Sequence, residues 1–265
     1  MRFFLFAAPL YLFLPSASIA QATSGDEIHG TVYLGPIVAP DYVGSDEYRV
    51  TPFGGFSVHY GKMFVRSEGS GLVANLSPID HVLLGPAINF RIGRRPADIK
   101  SAAVGTLGRI DDAWEAGGMV GLGFSGVASE HDSLEITSKL LFDVSDVHKG
   151  YTIQPGIAYR LPVSRKATLG LMLSATLGDD AYVQRYFGID AADAAASGLA
   201  AYRPKGGLVD TGAVLTGTYS LSGRWSLLGI AGYSKLFEGA KNSPIVSDVG
   251  SSDQFVGSLS LAYSF

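Results

Sequence analysis

The sequence predicts an all-β chain closed into a transmembrane antiparallel, up-and-down β-barrel of about 12 strands, with 10 as the alternative count. Three observations carry this expectation. Apolar and small polar residues alternate with period 2 in segment after segment, the pattern of strands with one apolar and one polar face. Aromatic residues mark many segment ends, as Tyr60, Trp114, Tyr151, Tyr219, Trp225, Tyr263 and Phe265 do, where the girdles of a membrane barrel belong. Connections alternate in length: 39–49, 94–112, 178–207 and 237–252 are long, whereas Gly61, 78–80 and 222–223 are tight. Long outer loops and short periplasmic turns give that asymmetry.

Composition excludes several other classes. With 47% hydrophobic and 17% charged residues, the 265-residue chain is too apolar to be disordered. Its 34 glycines argue against a helical bundle, because each would weaken a helix interior by about 1 kcal/mol relative to Ala. The absence of Cys removes disulfides, thiolate metal sites and thiol catalysis together. A formal net charge of -4 has the wrong sign for a phosphate-binding surface, so nucleic acid is not expected as a partner.

Residues 1–22 read as a cleaved secretory signal: Arg2, an apolar run from Phe3 to Leu14, then Ala20, Gln21 and Ala22 at an Ala-x-Ala site. The run is short of the roughly 20 residues needed to cross a bilayer as a helix, and Pro15 interrupts it. The expected mature domain is 23–265. No later stretch approaches 18 uninterrupted apolar residues, so a membrane-embedded chain would have to cross with strands.

The strands are expected at 28–38, 50–60, 62–68, 71–77, 81–93, 114–124, 131–142, 151–161, 166–177, 208–221, 224–236 and 254–265. In the sixth, Trp114, Val120, Leu122 and Phe124 oppose Glu115, Gly117, Gly121 and Gly123. In the eighth, Tyr151, Ile153, Ile157, Tyr159 and Leu161 oppose Thr152, Gln154, Gly156, Ala158 and Arg160. In the last, Phe255, Gly257, Leu259, Leu261, Tyr263 and Phe265 oppose Gln254, Ser258, Ser260, Ala262 and Ser264. A soluble β-sandwich also alternates, but its wet face would carry more Lys and Glu than the Gly, Ser, Thr and Ala found here. Strand edges in hydrocarbon cannot leave N–H and C=O groups unpaired, so the sheet must meet itself. An even strand count returns both termini to the periplasmic side. Within the longest connection, Asp190 is placed to cap an Ala-rich helix, Ala191 to Ala196, ending near Gly198. Two placements are open to this loop: folded over or into the barrel mouth, or exposed outside it.

Motifs for catalysis and cofactors are weak. Gly121, Gly123 and Gly126 match G-x-G-x-x-G, but inside a strand with no following helix to receive a pyrophosphate. Ser57 with His59, and Ser133 with His131 beside Asp132, have the types of a hydrolase pair but no obvious orienting acid, and polar lumen or rim residues are the preferred reading. Asp41, Asp46 and Glu47 lack calcium-loop spacing. No catalytic residue, cofactor or metal is therefore expected. The candidate lumen charges are Arg91, Glu115, Glu135, Lys139 and Arg160, all opposite the apolar face. Their mixed signs favour a plugged or narrow lumen over a wide selective pore.

Four blocks carry a resemblance to a known family: PDYVGSDEYRV from Pro40, GRIDDAWEAGGMVGLGF from Gly108, YFGIDAADAAASGLAAYRPKGGL from Tyr186, and SPIV from Ser243 followed by QF...LAYSF at the terminus. In order and over nearly the whole mature chain, they resemble the MipA/OmpV family, the MltA-interacting outer-membrane proteins of Gram-negative bacteria. The resemblance implies an outer-membrane barrel in contact with lipid and, for the best-studied member, a non-enzymatic scaffold joining a lytic transglycosylase to a murein synthase. It brings no catalytic residue. The alternating terminus, with Leu261, Tyr263 and Phe265, also resembles the signal read by the barrel-assembly machinery. For a scaffold, the turns Ser77–Asp80, Leu161–Arg165 and Ser222–Arg224 would supply periplasmic contacts. The competing functions are a narrow channel for small solutes and, third, a lipid-modifying enzyme using Ser57 with His59 or Ser133 with His131.

Overall fold

The computed structural model describes residues 27–96 and 99–265; the expected export signal at 1–22 lies outside them. Twelve strands follow the alternation: β1 (Ile28–Pro40), β2 (Tyr48–Tyr60), β3 (Met63–Glu68), β4 (Gly71–Asn75), β5 (Val82–Arg91), β6 (Ala113–Ser125), β7 (Ser133–Asp143), β8 (Tyr151–Pro162), β9 (Ala167–Gly178), β10 (Gly207–Ser222), β11 (Trp225–Leu236) and β12 (Asp253–Ser264). Each pairs with its sequence neighbours, and β12 returns antiparallel to β1, closing the barrel. The seam runs from Thr31 opposite Ser264 to Val38 opposite Gly257. Phe265 extends it by exchanging backbone hydrogen bonds with Gly30 at 2.9 and 3.1 Å. The 10-strand alternative is excluded because β3 and β4, though only 6 and 5 residues long, form their own hairpin in the wall.

Outward-facing side chains are those that water would reject. Leu34 is 68% exposed and Leu259 56%, whereas inward-facing Met119 is 1% exposed. This arrangement suits lipid outside and a packed interior. Two aromatic girdles bound the apolar band. At one end lie the pairs Phe90–Trp114, Phe142–Tyr151 and Tyr233–Phe255; at the other Trp225–Tyr263, with Tyr60 and Tyr219. Along β12, the rise from Tyr263 to Phe255 at a usual strand tilt spans ~21 Å, close to the ~25 Å apolar band of such barrels.

The inward face departs from the expected small polar lining. It also buries Tyr33, Ile37, Phe53, Met172, Val214, Leu228, Ile230 and Val256, which pack into one apolar cluster inside the tube. These clustered apolar residues at inward positions fill volume that glycine and serine would leave as voids.

The connections follow the predicted asymmetry. At the end that holds Glu27 and Phe265 they are 61–62, 76–81, 126–132, 163–166 and 223–224. At the opposite end the loops 92–112, 179–206 and 237–252 are long, but 69–70 and 144–150 are short, and the connection expected at 39–49 shrinks to 41–47 because β1 and β2 stay paired up to Pro40 and Tyr48. The long loops carry α1 (Ala102–Gly105), α2 (Asp180–Phe187), α3 (Ala191–Ser197), α4 (Glu238–Lys241) and α5 (Pro244–Ser247). Helix α3 forms where the sequence places it, with the Asp190 carboxylate accepting from the Asp193 N–H and Gly198 ending it at φ 75°.

The short β3–β4 hairpin has a consequence for its neighbour. It pairs with β2 only from Ser57 to Tyr60, so among the described residues no strand covers the other edge of β2 above Ser57. Sequence chemistry blunts that edge: Pro52 has no N–H to leave unpaired, the Ser67 hydroxyl accepts from the Phe56 N–H at 3.1 Å, and Lys100 Nζ donates to the Tyr48 carbonyl at 2.9 Å.

Candidate functional site: the lumen and its outer cap

Two buried charge clusters occupy the lumen. In the first, Arg66 donates to Glu68 at 3.0 Å and to Glu135 at 2.8 Å, while Lys139 Nζ lies 2.6 Å from the second Glu68 oxygen. Two cations and two carboxylates balance there, and the Arg66 guanidinium also rests 4.5 Å over the Phe64 ring. In the second, Arg91 Nε donates to Glu115 at 2.9 Å, Asn89 Nδ2 at 2.6 Å, and His148 Nε2 stands 3.1 Å away. Four of the five predicted lumen charges are thus placed in ion pairs. Arg160 stands apart: its Nε is buried without a hydrogen bond.

Sequence reasoning did not find Arg66, Glu68 or His148. Both faces of MFVRSE in β3 mix apolar and polar residues, so its period gives no inward side, and His148 reaches the lumen from a loop.

Above these clusters the outer loops form a cap. Tyr182, Val183 and Phe187 of α2 pack with Val209, Leu236, Ala240 and Val246. Ile189, Leu199 and Ile245 pack with Val104 and Leu107 from the 92–112 loop. Polar ties cross between loops: Ser243 Oγ donates to the Phe187 carbonyl at 2.7 Å, the Gly108 N–H to Asp193 at 2.9 Å, and the Tyr202 hydroxyl to the Gly239 carbonyl at 3.1 Å. Gln254 staples the β1–β2 loop to β12, accepting from the Gly44 N–H at 3.0 Å and donating to the Ser45 carbonyl at 3.0 Å. Of the two placements open to the 178–207 loop, the folded-in one is found. Tyr182 and Tyr186 lie 4.8 and 5.6 Å from the Arg91 guanidinium and join α2 to the charge cluster beneath it. The sequence blocks from Pro40, Gly108, Tyr186 and Ser243 therefore meet in one cap.

A pocket opens within this cap, lined by Tyr42, Val43, Arg91 to Arg94, Ile110, Tyr182, Tyr186 and Phe187. Burial disfavours the charged form of Arg94 and lowers its pKa, and burial raises that of the Tyr186 phenol.

The hydrolase pairs fare differently. Ser57 Oγ and His59 Nε2 lie 2.7 Å apart, and His59 stacks on His29 at 5.3 Å. Among the described residues, the charged groups whose fields reach His59 include His29, Arg66 and Arg160, all of them basic, whereas a triad needs a carboxylate at the imidazole. Asp132, beside His131, instead closes the 126–132 turn: it accepts from the Val127, Ala128 and Ser129 N–H groups at 2.7 to 2.9 Å and from the Tyr159 hydroxyl at 2.6 Å.

Among curated proteins none matches the chain significantly. Among solved structures, similar barrels include an outer membrane channel from Pseudomonas putida F1, at 13% identity and a TM-score of 0.48, covering 96% of this chain and 100% of that one. The outer membrane channel DcaP of Acinetobacter baumannii has 11% identity and a TM-score of 0.44, covering 90% and 96%. The translocator domain of the autotransporter NalP from Neisseria meningitidis has 12% identity and a TM-score of 0.42, covering 92% and 90%. The family described as MltA-interacting protein MipA matches residues 32–265, from the first strand to the terminal Phe265. This closed twelve-stranded β-barrel belongs to the MipA family.

Proposed function

We propose that the protein is a non-enzymatic, non-conducting barrel that holds a murein hydrolase of the lytic transglycosylase type, and through it a murein synthase, at the periplasmic rim. The observation that carries this reading is the filled lumen. Two levels of buried ion pairs and the docked α2 leave the barrel's surfaces, rather than its interior, to do the work. The family's description as MltA-interacting supports the class of partner. Export through the periplasm, with removal of residues 1–22, belongs to the same proposal.

The periplasmic end offers apolar anchors. Ile79, Val127 and Val163 stand on three of its turns and are 63%, 53% and 49% exposed. Isolated turns of this size bury little of the roughly 800 Å² per partner that a standard interface takes, so the contact is weak or includes the barrel rim. The test is affinity capture of a purified lytic transglycosylase by the detergent-solubilised barrel. Retention that drops at least tenfold in the triple variant Ile79→Asp, Val127→Asp, Val163→Asp is the expected result. No retention by the wild type contradicts the proposal.

A further inference from the structure

We propose that the lumen mouth at the end holding Glu27 and Phe265 binds a phosphate group, held between Arg160 and the stacked pair of His29 and His59.

Geometry is the first argument. His29 on β1 and His59 on β2 stand directly opposite each other in the register, and their rings stack at 5.3 Å with planes 7° apart. They share a strand face with the buried Tyr33 and Ser57, so they belong to the lumen. His29 is exposed and His59 half-buried, which leaves the pair open to solute from this end. Arg160 comes from β8, six strands from β2 either way round the closed wall, and so stands on the opposite side of the lumen. Its charge nevertheless reaches His59, as does that of Arg66.

Charge is the second argument. Arg66 and Lys139 are balanced by Glu68 and Glu135, which leaves Arg160 as a surplus cation in this part of the lumen. Glu135 is the carboxylate whose field reaches Arg160, but its two oxygens already accept from the two terminal nitrogens of Arg66, at 3.2 and 2.8 Å. Asp132 precedes Ser133, the residue opposite Arg160, and is engaged by three backbone N–H groups and the Tyr159 hydroxyl. Among the described residues Arg160 forms no ion pair, and its Nε is buried without a hydrogen bond. Buried donors are ordinarily paired, and a guanidinium without an anion is costly to shield from water.

A tetrahedral oxyanion suits donors on two facing walls. The guanidinium takes two phosphate oxygens by parallel bonds, and the remaining oxygens project out of that plane towards the imidazoles. A planar carboxylate held in the same way turns no oxygen to the far wall. The source is a soluble phosphate or phosphomonoester rather than a bilayer headgroup. The histidines face the lumen, whereas their neighbours Ile28 and Tyr60 face outward and are 68% and 43% exposed.

The test is isothermal titration of the refolded full chain in dodecyl maltoside micelles at neutral pH with inorganic phosphate and with acetate, repeated in micelles containing phosphatidylglycerol. Heat-modifiable gel mobility reports that each variant is folded. Saturable phosphate binding at least tenfold tighter than acetate is expected, unchanged by the lipid. Arg160→Gln should weaken it at least tenfold and His29→Gln several-fold. No phosphate binding by the wild type, or unchanged affinity in Arg160→Gln, overturns the site. Acetate binding as tightly overturns the tetrahedral ligand, and loss of phosphate binding in the lipid-containing micelles overturns the soluble source. Should Arg160→Gln fail to fold, unchanged phosphate affinity in His29→Gln overturns the site.

Discussion

Arg91 and Glu115 are diagonal neighbours on β5 and β6, Nε 2.9 Å from Oε1, both shut away from water inside the barrel. Asn89, directly opposite Glu115, donates to its second oxygen, and His148 closes the remaining side. The carboxylate is thus held from three directions, the condition under which a buried pair is tolerated. Removing one partner leaves the other uncompensated. We expect Arg91→Leu or Glu115→Leu to destabilise the barrel by about 3–5 kcal/mol each, and the double variant to cost much less than the sum. Urea unfolding in micelles, followed by gel mobility, measures all three.

A pH response is expected at the end of the barrel that holds Phe265. The Tyr159 hydroxyl, followed by the N–H groups of Ala128, Val127 and Ser129, holds the Asp132 carboxyl below the usual carboxylate range. With the folded value depressed, Asp132 stabilises the 126–132 turn fully above the unfolded pKa of about 3.9, and that contribution is lost as pH falls through the lower, folded value. Proteolysis at this turn should therefore accelerate below about pH 4. Asp132→Asn should cut faster at neutral pH and show a flatter pH dependence.

Closure of the wall depends on Phe265 and Gly30. Each donates to the other's carbonyl, and a side chain added at Gly30 would meet the Phe265 ring and the Ser57 carbonyl, each at 2.7 Å. Gly30→Val should accordingly lower the unfolding midpoint. Deletion of Phe265 removes both bonds and, as we further propose from the resemblance of the terminus, also part of an assembly signal formed with Leu261 and Tyr263. The deletion should reduce assembled barrel in cells more than it reduces refolding yield in micelles. Equal losses in both settings would leave Phe265 a purely structural role.

Much of the wall was legible because the side-chain period of a strand is independent of what the strand touches. Trp114 outward and Glu115 inward follow from counting alone. Asp190 and Gly198 likewise bracket α3 by local chemistry. The site was less legible. Glu68 meets Lys139 across 71 residues of sequence, and no local pattern records such a contact. Helix α2 escaped notice because its buried Tyr182, Val183 and Phe187 match a short amphipathic turn as well as any exposed loop; only packing against Val209 and Leu236 decides it. Arg94 and Tyr186 lie far apart in sequence, and their shared pocket exists only once three loops close over the mouth.

Conductance across a planar bilayer tests the central claim, that charge pairs and the docked α2 close the lumen. The wild-type barrel, reconstituted in a known orientation, should be electrically silent at moderate voltage. A variant in which 181–204 are replaced by a short Gly-Ser linker and both charge clusters are removed, with Arg66, Glu68, Arg91, Glu115, Glu135 and Lys139 replaced by Gly, should conduct in discrete steps once gel mobility shows it folded. Reproducible steps from the wild type, altered by substitutions at Arg91 or Glu115, would contradict the claim and make the protein a channel.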